Sequence, residues 1–236
     1  MPEKEKIVWI TGASSGIGKS LVYSFASRGF NVAASARRIE LLERMKNDSG
    51  FAGSIHLFPM DVSNLESIIK TSKEISKSFV ISGLINNAGL TSFKNATENS
   101  YKEIDDIIDT NLKGAIYTIQ STINGMIKRK EGKIFNILSV AAKKIFINSS
   151  VYSASKAGLL AYSNVLREEL RSNGISITNV LPGATKTPIW QGEALSKFSS
   201  RMMSPDDLAE VIFSLYKVKG SAIPEEITFR PIKGDL

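Results

Sequence analysis

Short apolar, β-branched runs alternate with longer stretches of helical periodicity along the whole chain, and this alternation restricts the fold more than any other feature. Strands are expected at 7–11, 31–36, 54–60, 84–87, 133–139, 176–181 and 226–230, and helices near 17–28, 38–48, 64–78, 99–128, 152–172 and 205–217. A helix between two strands returns the chain to the end of the sheet where the previous strand began, so successive strands pair in parallel. The first run, IVWIT, is apolar almost throughout, as in a strand covered on both faces. The fold class expected is α/β, a doubly wound, mostly parallel seven-stranded sheet with helices on both faces.

The helix ends carry their own punctuation. Ser204-Pro205-Asp206-Asp207 supplies an N-cap serine, a proline at the first helical position and acidic charge in the first turn, while Asn173-Gly174 closes the helix before it. No proline- or serine-rich linker and no repeat divides the 236 residues, so one domain is expected, long enough to bury a core without staples. The chain has no cysteine, which excludes disulfides and thiolate chemistry, and one histidine, His56, which excludes a cluster of histidine ligands. His56 itself is expected to be structural, and no metal site is expected. No run of eighteen apolar residues is present and the N-terminus lacks the pattern of a signal peptide, which implies no membrane partner and a cytoplasmic location. The net charge of +7 is spread, with small clusters at Arg37 and Arg38, 128–130, and Lys143 and Lys144. Nucleic-acid proteins concentrate such charge on one face, so no nucleic-acid partner is expected.

The segment 11–18, TGASSGIG, stands between the first strand and the first helix. There Gly12 permits a tight turn, Gly16 lets the backbone approach a phosphate, and Gly18 lets helix and strand pack closely, with the free amides of the helix start facing a pyrophosphate. Three residues separate Gly12 from Gly16, unlike the GxGxxG fingerprint, and Gly16 is not followed by the Lys-Ser or Lys-Thr of a nucleotide hydrolase loop. An NAD site places a carboxylate at the end of the second strand; here Ala36 occupies that place and Arg37 and Arg38 follow. Guanidinium groups suit a 2′-phosphate, so the expected cofactor is NADP(H).

Tyr152 and Lys156, in YSASK, fall at i and i+4 of a helical segment and project from one face. An ammonium beside a phenol favours the phenolate: lowering a tyrosine pKa from about 10 to about 7 takes roughly 4 kcal/mol. One unit charge at about 4 Å supplies about that much at an effective dielectric near 20. Ser139 ends the fifth expected strand, on the side where open α/β sheets bind ligands, and could reach the same carbonyl oxygen as Tyr152. ILSVA is not a nucleophile elbow, so Ser139 is not expected to act as a nucleophile.

Together these segments resemble the classical short-chain dehydrogenase/reductase family in its NADP-preferring subtype, over nearly the whole chain. TGASSGIG at 11–18, Asp61-Val62, NNAG at 86–89, Asn111, Ser139, YSASK at 152–156 and PGATKT at 182–187 occur in the family's order and spacing. The resemblance implies a Rossmann fold and a catalytic set of Asn111, Ser139, Tyr152 and Lys156. Tyr152 would be general acid in carbonyl reduction and base in alcohol oxidation. Lys156 would bind the nicotinamide ribose and lower the Tyr152 pKa, and Ser139 would polarise the substrate carbonyl. Asn111 would hold a water of a proton relay at an irregularity in its long helix. The implied cofactor cradle is Gly12, Ser14, Ser15, Gly16, Ile17, Gly18, Arg37, Arg38, Asp61, Val62, Asn87, Ala88, Gly89, Tyr152, Lys156, Pro182, Gly183, Thr185 and Thr187. Within it Arg37 would be the main 2′-phosphate contact and Arg38 a secondary one, Asp61 and Val62 would meet adenine, Asn87 the ribose, and Thr187 with the Pro182-Gly183 turn the carboxamide.

The implied activity is hydride transfer between nicotinamide and a small or medium carbonyl/secondary alcohol pair, with no metal. Alternatives are a 3-hydroxy acid (serine-like) dehydrogenase, a 3-oxoacyl thioester reductase, or a non-catalytic dinucleotide-binding regulator. A short lid is expected over the substrate at 183–204, with Ile189, Trp190, Leu195 and Phe198 either lining the pocket or anchoring the lid. Helices 101–128 and 152–171 resemble the paired helices of the family's subunit interface, implying a homo-oligomer, tetramer or dimer.

Overall fold

The computed structural model describes residues 4–190, 193–219 and 222–234. Its seven strands are β1 (Lys6–Thr11), β2 (Asn31–Ser35), β3 (Ile55–Leu57), β4 (Val80–Asn86), β5 (Gly132–Ile137), β6 (Ile175–Pro182) and β7 (Glu226–Phe229). They form one sheet in the order β3-β2-β1-β4-β5-β6-β7, and every pairing is parallel. The helices are α1 (Gly16–Ala26), α2 (Ile39–Asn47), α3 (Leu65–Ser78), α4 (Tyr101–Ile108), α5 (Gly114–Arg129), α6 (Ser150–Leu170), α7 (Glu193–Phe198) and α8 (Pro205–Tyr216).

The period-two pattern of β1 sets the layers. Val8 and Ile10 pack with Leu21 and Phe25 of α1, Leu42 of α2 and Ile212 of α8. Ile7 and Trp9 point to the other face and pack with Ile68 and Ile75 of α3, Ile119 of α5 and Leu166 of α6. Helices therefore cover both faces, as the unbroken apolar character of IVWIT requires. Among the described residues no helix is long and apolar enough to cross a membrane.

The third, fourth and fifth strands depart from expectation, the fifth ending at Ile137 so that Ser139 lies two residues beyond it and caps the following turn. The third is only 55–57, because Pro59 has no N–H to donate to the ladder; Phe58 and Met60 on either side still donate to Ala34 and Ala36 at 3.0 and 3.1 Å. The fourth begins at Val80, four residues earlier than expected. Ser82-Gly83 looks like a turn but lies in mid-strand, where a Cβ on Gly83 would come within 2.6 Å of the Tyr216 hydroxyl. Ser204 caps α8 as expected, accepting from the Asp206 N–H at 3.1 Å, and Gly174 ends the α6 region at φ +68°.

The strand order places the binding face. From β1 the chain runs outward to β2 and β3, then returns to β4 on the other side and continues to β7. The crevice at such a reversal, beyond the carboxyl ends of the strands, is where sheets of this kind hold ligands.

Candidate active site

At that reversal the turns after β1 to β6 surround one cleft of about 650 Å³. Its floor is the glycine turn. Gly12 has φ +64°, and a Cβ there would lie 2.7 Å from Cα of Ala88. Gly18 faces inward instead: its Cβ would lie 2.2 Å from the Gly12 carbonyl oxygen. Asn87 ties the two segments together, its amide donating to the Thr11 and Gly12 carbonyls at 3.0 and 3.1 Å, while Thr11 Oγ1 accepts from the N–H groups of Asn87 and Ala88 at 3.1 Å each. The close approach of β1 and β4 thus leaves a side-chain-free ledge before α1, whose amides face the cleft.

The turns after β2 and β3 supply the charged end. Arg37 and Arg38 are exposed and line the cleft, with Ala36 buried beside them. Asp61 and Val62 line the same end, and Asp61 Oδ1 accepts from the N–H and hydroxyl of Ser63 at 2.9 and 2.8 Å. Ser14, Ser15, Gly16, Ile17, Asn87, Ala88 and Gly89 line the middle, and Pro182, Gly183, Thr185 and Thr187 close the far side.

The reactive groups are positioned by α6 lying across β5 and β6. Lys156, Ser163 and Arg167 share the helix face that meets the sheet: Lys156 Nζ donates to the Ile137 carbonyl at 2.9 Å, and Arg167 Nε to the Ile177 carbonyl at 2.9 Å. Ser163 accepts from Asn136 at 2.9 Å. Asn136 also accepts from Asn86 at 2.9 Å and pairs in register with Asn179, which donates to Asn164 of α6 at 3.2 Å. A buried asparagine ladder across β4, β5 and β6 therefore anchors the helix that carries Tyr152 and Lys156. Within it the Asn86 and Asn136 amides each donate to a neighbour, while Asn86 Oδ1 is buried without a partner.

Ser139, Tyr152 and Lys156 all line the cleft. Ser139 Oγ accepts from the Ala141 N–H at 3.1 Å. Burial pushes the Tyr152 phenol up from its ordinary value, with the Ser139 hydroxyl acting in the opposite direction. Burial likewise pushes the Lys156 ammonium down to about 8. The expected lowering of Tyr152 by Lys156 is not what this geometry gives. The ammonium is turned to the Ile137 carbonyl, 5.7 Å from the centre of the phenol ring, and burial dominates the phenol's shift.

Asn111 is fully buried behind the cleft wall and does not line it. It lies in the π-helical turn Asp109–Lys113 that joins α4 to α5, the irregularity expected of this helix. Its amide donates to the Leu90 carbonyl at 2.8 Å and to Ser155 Oγ at 3.0 Å, and its oxygen accepts from the Leu90 N–H at 2.7 Å. Ser155 in turn donates to the Tyr152 carbonyl at 2.7 Å. Gly89 brings this group to Lys156: a Cβ there would sit 3.4 Å from Asn111 Oδ1 and 3.6 Å from Lys156 Nζ.

The 183–204 segment holds α7, and its residues 191 and 192 lie outside the described residues. Backbone bonds between Lys186 and Met203 and between Met203 and Ala184, both 2.9 Å, close its base. Ile189, Trp190 and Phe198 line the cleft; Leu195 does not. Trp190 stacks on Phe93 from the β4 turn, ring centres 5.0 Å apart and 17° between planes. Of the expected catalytic and cofactor-binding residues, only Gly18 and Asn111 do not line the cleft. Those missed include Thr91, with a buried hydroxyl that has no hydrogen-bond partner. Thr91 stands one residue beyond NNAG, after Leu90, but nothing local marks it as buried.

The donor set fits a dinucleotide phosphate: a glycine turn packed too closely on Ala88 and Asn87 to admit a side chain at Gly12, exposed guanidiniums at one end, and hydroxyl and ammonium groups at the other. A parallel sheet with this crevice and these lining groups is the architecture of a dinucleotide-binding protein. The comparisons agree: residues 6–196 match the model of the short chain dehydrogenase family, and the chain belongs to that family. It is 31% identical over 239 residues to sepiapterin reductase of Chlorobaculum tepidum, covering 98% of each chain. Among solved structures it is similar to the closed form of serine dehydrogenase complexed with NADP+, at 27% identity and TM-score 0.90, covering 98% of this chain and 96% of that one. It is also similar to a variant of actinorhodin polyketide ketoreductase with NADPH, at 25% identity and TM-score 0.86, covering 96% of each.

Proposed function

We propose that the protein is an NADP(H)-dependent oxidoreductase interconverting a small or medium carbonyl compound and its secondary alcohol, as one domain over 1–236 with a lid at 183–204. The observation that carries this reading is Ser139, Tyr152 and Lys156 together on the wall of a cleft whose opposite end bears Arg37 and Arg38. The NADP complexes of its structural relatives support the cofactor assignment.

The nicotinamide, when bound, supplies or accepts the hydride. Tyr152 donates its phenolic proton to the carbonyl oxygen during reduction and takes it back during oxidation. Ser139, held by the Ala141 N–H, aligns and polarises that oxygen. Lys156, its ammonium anchored on the Ile137 carbonyl, holds the ribose hydroxyls beside Tyr152. Asn111 braces Leu90 against α6 and with Lys156 frames the route by which the proton is replaced from solvent. The Gly12–Gly18 turn, with Ser14, Ser15 and Ile17, holds the pyrophosphate; Arg37 and then Arg38 pair with the 2′-phosphate, and Asp61 and Val62 flank adenine. Asn87, Ala88 and Gly89 follow the ribose, and Pro182, Gly183, Thr185 and Thr187 orient the carboxamide.

A second reading narrows the substrate to a 3-hydroxy acid such as serine or a 3-oxoacyl thioester. Likeness to the serine dehydrogenase and the polyketide ketoreductase favours it over an unrestricted carbonyl. Exposed Tyr101 on α4 and Val165 on α6 support a homo-oligomer, and the lack of an apolar spanning helix among the described residues is compatible with the cytoplasm.

Tyr152→Phe tests the reading. It should lower kcat for carbonyl reduction by about 100-fold or more, the scale of general acid catalysis, while NADPH Kd changes less than about threefold. Full activity in that variant across pH would remove Tyr152 as proton donor.

A further inference from the structure

The cleft is divided by charge. Its charged side chains other than Lys156, namely Arg37, Arg38 and Asp61, come from the turns after β2 and β3. The turns after β4, β5 and β6, which surround Ser139 and Tyr152, present Phe93, Phe146, Ile147, Ile189, Trp190 and Phe198. Among the described residues this half holds no carboxylate and no cation except Lys156, whose ammonium is buried and already donates to the Ile137 carbonyl. Lys143, close after Ser139 in sequence, is turned outward to Glu226 at 2.5 Å.

The apolar wall is also braced. Trp190 Nε1 donates to the Thr185 carbonyl at 3.0 Å, and Thr185 is bridged to Met203. The indole is thereby held flat against Phe93. A rigid aromatic face of this kind receives a planar or apolar group with little loss of side-chain freedom. A carboxylate placed here would surrender its hydration with no cation to replace it, and the zwitterion of an amino acid would lack partners for both its charges.

Resting on the carbonyl–alcohol reading, we infer that the substrate is uncharged around its reacting carbonyl and carries a planar or apolar body that lies against the Phe93–Trp190 pair. Of the narrower candidates this selects the neutral, thioester-like compounds and excludes free 3-hydroxy acids, serine included.

Three probes with the same reacting group make the test: ethyl benzoylacetate, the benzoylacetate anion and ethyl acetoacetate, each reduced with NADPH at pH 7. The ring ester should exceed the anion in kcat/KM by about 100-fold or more. It should exceed the ringless ester by about 10-fold, the value of an apolar contact surface. Trp190→Ala and Phe93→Ala should bring the ring-to-ringless ratio near one, with NADPH Kd as a control on folding. An anion reduced as fast as its ester overturns the exclusion of acids. A ratio unchanged in both variants overturns the role of the aromatic pair. Turnover of none of the three by a parent protein that binds NADPH defeats the carbonyl–alcohol reading itself, a different failure from the first two.

Discussion

Replacing Asn111 by alanine removes three hydrogen bonds at once, two of them to the main chain of Leu90 and one to Ser155. Ser155 keeps its bond to the Tyr152 carbonyl, so the cost falls mainly on Leu90, whose N–H and carbonyl both lose the amide that pairs with them. Each buried polar group left without a partner costs about 1–3 kcal/mol, which makes about 2–6 kcal/mol for the pair. Unfolding entropy near 2.1 cal/mol/K per residue gives about 0.5 kcal/mol/K for 236 residues, so Tm should fall by about 4–12 °C. Thermal unfolding followed by circular dichroism measures this directly. Asn111→Asp keeps an oxygen for the Leu90 N–H but sets a carboxylate against the Leu90 carbonyl, so it should rescue little. Turnover should fall as well, because Leu90 and Thr91 form the wall facing Tyr152 and Lys156. An Asn111→Ala protein that melts within about 1 °C of the parent would refute the brace; on the scale above, so small a change means Leu90 has found other partners.

Arg37→Ala should erase most of the preference for NADPH over NADH in Kd, a loss of about 10-fold or more for charged hydrogen bonds to phosphate; equal affinities in the parent would sink the assignment. Lys156 bears on alkaline stability. Its folded pKa is depressed from 10.5 to about 8, so between those values the unfolded chain binds the extra proton and stability from this group rises with pH. The stability difference between parent and Lys156→Met, measured by urea unfolding from pH 7.5 to 9.5, should therefore shift in the parent's favour as pH rises; a flat difference contradicts the burial argument. Gly18→Ala would place Cβ 2.2 Å from the Gly12 carbonyl and 2.5 Å from Asn87 Nδ2, and it should cost about 1–3 kcal/mol in overpacking. Weaker NADPH binding should accompany that loss, and a variant with unchanged Tm and Kd would show that the turn relaxes freely.

Much of the architecture could be read before any coordinates. IVWIT with its period-two faces, the glycine cluster at a strand–helix junction and the capped start of α8 are each written in a few consecutive residues. The same holds for Tyr152 and Lys156, which one helical turn places together whatever surrounds them. Gly83 shows where this stops: it reads as a turn until Tyr216, far along the chain, is packed over it. The asparagine ladder is equally hidden, because Asn86, Asn136 and Asn179 become neighbours only when the register of three strands is set.

The amino-acid order alone determined the alternation of elements, the direction of strand pairing and which chemical groups could meet a dinucleotide, since these follow from local periodicity, turn chemistry and side-chain type. Tertiary structure decided that Asn111 stands behind the wall, that Lys156 turns to a carbonyl and burial raises the Tyr152 phenol, and that Phe93 meets Trp190 over an uncharged half-cleft. Those outcomes depend on desolvation and on contacts between distant segments, and neither quantity exists until the chain has closed around the site.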